Sequence, residues 1–185
     1  MPRLIAPRLI AFLRAINVGG QTVTMAQLRQ EFEALGLKGV ETFIASGNVI
    51  FTPRSTDLAA LERKIETRLH ASLGYDVATF IRTDAEVAAV ATHQAFKASL
   101  VKGAGAFCVG FLNAPLDAAA TRVLMAFKND IDDFHTNLRE VYWLCKVGQS
   151  DSKFSNARFE KALKIRCTFR GINTIRRLTD KYPAT

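Results

Sequence analysis

The chain has few of the residues that build metal centres, disulfide frameworks and acid–base catalytic sites. Its 185 residues include three cysteines and three histidines. Cys108, Cys145 and Cys167 are odd in number and widely spaced, without a C-x-x-C pair or a neighbouring histidine. We therefore expect no disulfide framework, no metal site and no cofactor, and a reducing cytoplasm as the compartment.

Long apolar runs are also missing. The longest, LIAFL and AEVAAVA, are far shorter than the roughly 20 residues that span a bilayer. The N-terminal run is a poor export signal, because Pro7 interrupts it and Arg14 lies inside it. We expect a cytoplasmic protein without a membrane segment, and the pattern leaves its oligomeric state open.

What is present describes a globular, basic protein. Hydrophobic residues make up 49% of the chain and charged residues 23%, which excludes disorder for most of it. The net charge is +8, and residues 146–185 hold ten Lys and Arg against three Asp and Glu. Nearly all the excess positive charge therefore lies in the C-terminal segment.

The first half has the pattern β-α-β-β-α-β. Thr24 and Gln27 form a capping box before one amphipathic helix, and Asp57 and Gly74 bound a second. The turn Ser46-Gly47-Asn48 separates two β-rich runs. The predicted strands are residues 9–16, 40–45, 49–52 and 76–82. This order predicts a ferredoxin-like sheet with both helices on one face.

The second half repeats the predicted order β-α-β-β. A helix over residues 155–164 and a terminal helix capped by Asn173 follow. The two halves share no repeat that can be aligned residue by residue. We predict an α+β fold of two ferredoxin-like (split βαβ) halves, the second one degenerate at its last strand. The boundaries are residues 1–92, a linker at 93–106 that follows a short helix capped by Thr83 and Glu86, and residues 107–185.

Apolar residues at strand and helix spacing predict the core of the first half. They are Leu13, Leu28, Phe32, Ile44, Phe51, Ile65 and Leu69.

Polar side chains at predicted strand ends are the candidates for a ligand site. Counting by twos places Arg14 on the same face as apolar residues, where it needs an ion-pair partner or an anion. The turn and cap residues nearby have an ordinary structural interpretation as well as a functional one. We expect a polar cluster between the two halves built from Arg14, Asn17, Ser46, Asn48, Lys153, Arg170 and Asn173.

The basic C-terminal segment is the candidate for a polyanion surface. On the predicted helix after Ser155, three cations recur three residues apart, opposite Phe159 and Leu163. A solvated face is the competing interpretation. The candidate residues are Arg158, Lys161, Lys164, Arg166, Arg176 and Arg177. By contrast, Asp130, Asp132 and Asp133 fit no calcium loop and indicate a solvated turn.

Several of these motifs together resemble a known family. The runs LRAINVGG, TFIASGNVIF and SKFSNARFEKAL, and the terminal T-x-R-x-x-N-T, look like the uncharacterised, mainly bacterial family catalogued as domain of unknown function 1697. The resemblance spans nearly the whole chain and implies two ferredoxin-like α+β halves, with no assigned activity, substrate or cofactor. The chain departs from the family pattern at Gly171 and Ile172, where relatives have Asn and an aromatic residue.

Three classes of function are compatible with the sequence. The first is a module that binds a nucleotide, another phosphorylated small molecule or nucleic acid. The second is an interaction or scaffold protein in which the polar residues join the halves. The third is an enzyme, which lacks an evident acid–base group because no His, Cys or carboxylate pair belongs to the candidate set.

Overall fold

The computed structural model describes residues 7–53 and 56–185, and it contains two four-stranded antiparallel sheets. The first half has the order β-α-β-β-α-β. Its elements are β1 (Leu9–Leu13), α1 (Met25–Ala34), β2 (Lys38–Thr42), β3 (Asn48–Thr52), α2 (Leu58–Leu73) and β4 (Thr79–Thr83). The strands lie in the order β2-β3-β1-β4. This is the split βαβ arrangement of a ferredoxin-like sheet, as predicted.

The second half has the same order and the same topology. Its elements are β5 (Ala106–Phe111), α5 (Ala118–Met125), β6 (Asp132–Asn137), β7 (Glu140–Cys145), a 3-10 turn (Gln149–Asp151), α6 (Asn156–Leu163) and β8 (Thr168–Gly171). The sheet order is β6-β7-β5-β8. Two ferredoxin-like halves are therefore confirmed. The predicted degeneracy of the last strand is limited to its length, because the four-residue β8 still pairs with β5.

The described part of the chain has three further helices, namely α3 (Asp84–Thr92), α4 (Ala98–Lys102) and α7 (Ile172–Lys181). The α4 helix lies inside the segment that we predicted to be a linker. By internal contacts the chain divides into two compact units, Met1–Ala89 with Leu178–Thr185, and Val90–Arg177. No helix among the described residues is both long and apolar enough to pass through a bilayer.

Side-chain caps fix the helix starts. Thr24 Oγ1 accepts from Gln27 N at 3.0 Å before α1, and Asp57 Oδ1 accepts from Ala60 N at 2.9 Å before α2. The predicted box before α3 is reciprocal: Glu86 N donates to Thr83 Oγ1, and Thr83 N donates to Glu86 Oε2. Each bond satisfies an amide that has no partner within its helix.

The prediction that Asn173 caps the terminal helix is wrong. The α7 helix begins at Ile172, so Asn173 lies in its first turn, and the residue before the helix is Gly171. The helix starts directly from β8 without a loop, which sequence spacing alone does not reveal.

The apolar faces of α1 and α2 pack on one face of the first sheet. Six of the seven predicted core residues are buried there. Ile44 is the exception, since it is 40% exposed and has a φ of 52°. The strand β2 ends at Thr42, so Ile44 lies in the loop before β3, and the period-two count that placed it in the core does not apply.

The first strand is also shorter than predicted. It ends at Leu13, and Ala15 and Asn17 have φ of 61° and 56°. Arg14 therefore follows the strand and does not continue its apolar face. Its side chain is half-buried and its backbone N–H donates to Ala78 O at 2.9 Å.

The two halves are related residue by residue through strand register. Ile10 of β1 pairs with Arg82 of β4, and Val109 of β5 pairs with Arg170 of β8. Both arginines are buried. In each, Nη1 donates a hydrogen bond of 2.9 Å to the carbonyl oxygen of the preceding residue.

A second pair of bonds has the same spacing. Leu13 N, three residues after Ile10, donates to Gly47 O at 2.8 Å. Leu112 N, three residues after Val109, donates to Arg139 O at 3.0 Å. Gly47 and Arg139 each precede the third strand of their half. The register thus defines a repeat that the sequence conceals.

Asp132 is a buried hydrogen-bond acceptor in the second half. Its carboxylate accepts from Trp143 Nε1 at 2.8 Å and from Ser152 Oγ at 2.8 Å, and the side chain is only 2% exposed. The solvated turn predicted for the three aspartates is therefore wrong for Asp132. The sequence places it beside two acidic neighbours, and only the fold brings Trp143 and Ser152 to it.

Gly47 occupies a position that a side chain would not fit. Its φ is 75°, and a Cβ would lie 3.0 Å from Ile16 and 3.1 Å from Leu13. Gly74 at the end of α2 has a similar φ of 79°, but a Cβ there would meet nothing within 4 Å.

We predict that Gly47→Ala lowers the free energy of unfolding more than Gly74→Ala does. Both substitutions pay the left-handed backbone cost of about 1–2 kcal/mol, and only Gly47→Ala adds overpacking of about 1–3 kcal/mol. Urea unfolding of both variants measures the difference. Equal losses would contradict the packing role of Gly47.

Candidate functional site

Three predicted site residues of the first half hold two loops together. Asn17 Nδ2 donates to Ala45 O at 3.0 Å, and Asn17 Oδ1 accepts from Val23 N at 2.7 Å. Asn48 Nδ2 donates to Phe43 O at 3.0 Å and to Ser46 Oγ at 2.9 Å. The structure thus brings Asn48 and Ser46 into direct contact, and Asn17 bonds to the residue before Ser46. These bonds stabilise the loops after β1 and β2.

The second-half candidates lie in different surroundings. Lys153 is exposed, and its carbonyl accepts from Arg158 Nη1 at 2.8 Å. Arg170 is 9% exposed and donates to Thr168 Oγ1 at 2.9 Å, and burial lowers its pKa to about 10. Asn173 lines a cavity whose wall does not include Lys153 or Arg170.

The cavity that contains Asn173 lies at the start of α7, and we call it the α7 pocket. Its volume is about 410 Å³. The wall combines the β8–α7 junction, the start of β5 and the turn after β7. Its polar side chains are Gln149, Asn173, Thr174 and Arg176, and Gly171 contributes backbone.

Local sequence explains why this pocket is open. Gly171 precedes α7 and has no side chain with which to cap the first-turn amides. A Cβ at Gly171 would meet nothing within 4 Å. The free space thus lies at the end of the helix where the peptide dipoles give partial positive charge.

A second cavity, of about 530 Å³, adjoins the first, and we call it the ring pocket. Val101, Phe107 and Arg176 line both cavities. Phe96 lies edge-on to Phe107, with 5.7 Å between the ring centroids and 78° between the planes. The remaining side chains that reach it include His93, Gln94, Lys97 and Lys102.

His93 connects the ring pocket to an aromatic cluster. Its Nε2 lies 3.2 Å from Nε2 of His135, and the two rings are stacked with centroids 5.3 Å apart. Its ring also lies 4.9 Å from Tyr142. Burial lowers the pKa of His135, His93 lowers it further, and Asp133 opposes the shift. When both imidazoles are neutral, one Nε2 carries the hydrogen and donates it, and the other Nε2 accepts.

The predicted polyanion residues are exposed around α6 and on α7. Lys161 lies on α6, and Lys164 ends it with a φ of 58°. Arg158 donates to Lys153 O and places its guanidinium 5.9 Å from the Phe127 ring centroid, so it lies along the surface. Arg176 is the only member of this set that lines the two cavities among the described residues.

Metal and thiol chemistry have no evident site in residues 7–53 and 56–185. No group of three His, Cys, Asp or Glu side chains there is arranged to hold a metal ion. Cys108, Cys145 and Cys167 are buried in the core of the second half. Burial raises the pKa of Cys108 to about 11, which keeps it protonated and unreactive.

Sequence reasoning missed most of the two pockets. Phe96, Lys97 and Lys102 lie in the segment that we predict to be a linker, and Phe107 directly follows it. The available signal was the pair of aromatic residues flanking a short lysine-containing apolar run, AFKASLVKGAGAF. Gln149 and Thr174 carry no pattern that distinguishes them from ordinary turn and helix residues.

Comparisons with known proteins agree with the fold and give no activity. A family model described as "Protein of unknown function (DUF1697)" matches residues 7–142, more than half of the chain. The solved structure of the conserved bacterial protein SP0830 from Streptococcus pneumoniae is similar, with a TM-score of 0.69 and 23% identity. The match covers 96% of this chain and 98% of that one. No curated protein matches the chain.

We predict that the stability of the protein falls on acidification below the ordinary histidine pKa, in part through His135. Because the folded state lowers the pKa of His135, the unfolded state binds the proton more tightly. Stability contributed by neutral His135 is therefore present above pH 6.5 and decreases as the pH falls from 6.5 towards the lowered folded value.

Urea unfolding between pH 5 and 7.5 tests this for the wild type, His135→Phe and His93→Gln. His135→Phe is expected to flatten the pH dependence. His93→Gln removes only the smaller of the two causes that lower the pKa, so it is expected to reduce the slope without abolishing it. A wild-type slope that His135→Phe leaves unchanged would assign the acid sensitivity to other groups.

Proposed function

Since this chain belongs to the DUF1697 family of proteins of unknown function, its own side chains must indicate its activity, and we propose that it binds a phosphate-bearing ligand in the α7 pocket. The observation that carries the proposal is a cavity of about 410 Å³ whose wall includes both the first turn of α7 and Arg176. A cavity of this size is within the range of small-molecule sites, about 300–1,000 Å³.

The chemistry of the lining favours an anion. Asn173 and Thr174 offer side-chain donors in the first turn of α7, and Arg176 offers a guanidinium on the next turn. No Asp or Glu is among the described residues that line the pocket. Helix starts bind phosphate because their amides and dipoles converge on it, and Arg adds a charge-assisted bond.

The charge of the surrounding segment supports the same ligand. Residues 146–185 carry ten Lys and Arg against three Asp and Glu. The resulting positive field raises the local concentration of anions and speeds their association. It acts on any polyanion, so it supports binding in general, and the pocket supplies the selectivity.

We predict that Arg176→Ala weakens the binding of pyrophosphate at least about tenfold, as expected for the loss of one charge-assisted hydrogen bond. Isothermal titration calorimetry at low salt measures the affinity. Arg177→Ala is the matched control, because it removes the same charge from an exposed neighbour that does not line the pocket. It is expected to retain nearly full affinity.

Comparing the two variants separates binding in the α7 pocket from attraction by the general positive charge of the segment. Equal weakening by Arg176→Ala and Arg177→Ala would show that only the general charge attracts the anion. No pyrophosphate binding to the wild type would reject the proposed function. Gly171→Leu gives an independent check, because its side chain would fill the open space beside the helix start while leaving every charge in place.

A second candidate function is weak nucleic-acid binding by the cations of α6 and the turn after it. The observation that favours it is their exposure: Arg158, Lys161, Lys164 and Arg166 all reach the surface. Such a surface would contact phosphates without reading bases, so binding would be salt-sensitive and only weakly dependent on sequence.

We predict that a triple variant with Ala at Arg158, Lys161 and Lys164 loses oligonucleotide binding at low salt and has a smaller salt dependence than the wild type. The reason is that each lost phosphate contact removes its share of counterion release. Fluorescence anisotropy of labelled single- and double-stranded oligonucleotides, titrated with salt, measures both quantities. If the variant binds oligonucleotides as tightly as the wild type, these three cations form a solvated face that does not bind nucleic acid.

A further inference from the structure

The ring pocket adjoins the α7 pocket, and we infer that the two together bind a free mononucleotide, with the phosphates at the α7 pocket and the base in the ring pocket. The inference rests on the proposed phosphate site and extends it to a ligand class. Its first support is continuity, since Val101, Phe107 and Arg176 line both cavities.

The second support is the chemistry of the ring pocket. His93, Phe96 and Phe107 are all half-buried, so each ring keeps accessible surface towards the cavity that it lines. Flat heterocycles stack on such rings, and the contact tolerates any base because every base has a π-face. Thr92 and Gln94 line the same cavity and supply a hydroxyl and an amide that can pair with the polar edge of a base.

The third support is charge complementarity along both cavities. Lys97, Lys102 and Arg176 contribute three cations, whereas no carboxylate is found among the described side chains that line either pocket. A ligand that is apolar and aromatic at one end and anionic at the other matches this distribution. Inorganic phosphate leaves the ring pocket empty, and a neutral nucleoside offers the cations no negative charge to bind.

The sizes of the two cavities favour a single nucleotide over a strand. Their volumes of about 410 and 530 Å³ are each that of a small-molecule site. Single-stranded nucleic acid is bound instead along a groove with several successive stacking rings. Here the stacking surface is one cluster around Phe96 and Phe107.

The test compares pyrophosphate, adenosine, ADP and GDP on the full chain by isothermal titration calorimetry. We expect ADP and GDP to bind at least about tenfold more tightly than pyrophosphate, in keeping with one stacked base. Phe96→Ala should reduce the two nucleotides to the affinity of pyrophosphate and leave pyrophosphate itself unchanged. Leu100→Ala is the matched control, because Leu100 is an exposed apolar residue of α4 that lines neither pocket.

The outcomes distinguish the inference from the proposed function. Pyrophosphate binding without any gain for ADP or GDP, or a gain that Phe96→Ala leaves intact, overturns the mononucleotide inference and leaves the phosphate site standing. No pyrophosphate binding overturns both. Adenosine binding as tightly as ADP overturns the mononucleotide inference, because the phosphates of ADP then add no affinity. The last arm is a competition titration with oligonucleotides. If they displace ADP from the Phe96-dependent site, the mononucleotide inference is overturned in favour of binding to a nucleic-acid strand. Phe96→Leu, which keeps apolar volume and loses the ring face, serves if Phe96→Ala does not fold.

Discussion

The first strand of each half is hydrogen-bonded on both sides, and the rest of each half depends on that pairing. β1 lies between β3 and β4, and β5 lies between β7 and β8. Because β1 and β5 each pair with two other strands, the helices and turns between them must bring those strands back alongside. This requirement sets where the connecting loops end. For this reason the carbonyl of Gly47 accepts a hydrogen bond from Leu13 N at the end of β1. Likewise Gly171 pairs with Cys108 of β5, so α7 begins beside β5.

The same constraint explains how two halves with unrelated residues keep one geometry. Register, and not residue identity, is what the pairing preserves. Arg82 and Arg170 are the informative exception, because the same residue type recurs at the same register with the same bond to the preceding carbonyl. A buried guanidinium is expensive to desolvate and must find acceptors, so a position that provides them tolerates few replacements.

Much of the fold could be predicted from the sequence, and less of the site. Helix stripes and caps depend on neighbours within four residues, so α1, α2 and α3 were predicted closely. Errors arose where a regular period was extended past the end of an element, as at Arg14 and Ile44, or where a strand runs straight into a helix, as at Asn173. The two pockets join residues 91–108 with residues 149 and 171–176. No local pattern reports contacts between segments so far apart in the chain.

The burial of Trp143 has a practical consequence for anyone who measures this protein in solution. It is the single tryptophan of the chain, it is 1% exposed, and its indole N–H is bonded to Asp132 in the core of the second half. Tryptophan emission, excited above the tyrosine absorption band, therefore reports on the second half alone, whereas far-ultraviolet dichroism reports on helices in both halves. A gap between the two melting curves would reveal that the duplicated halves unfold as separate cooperative blocks.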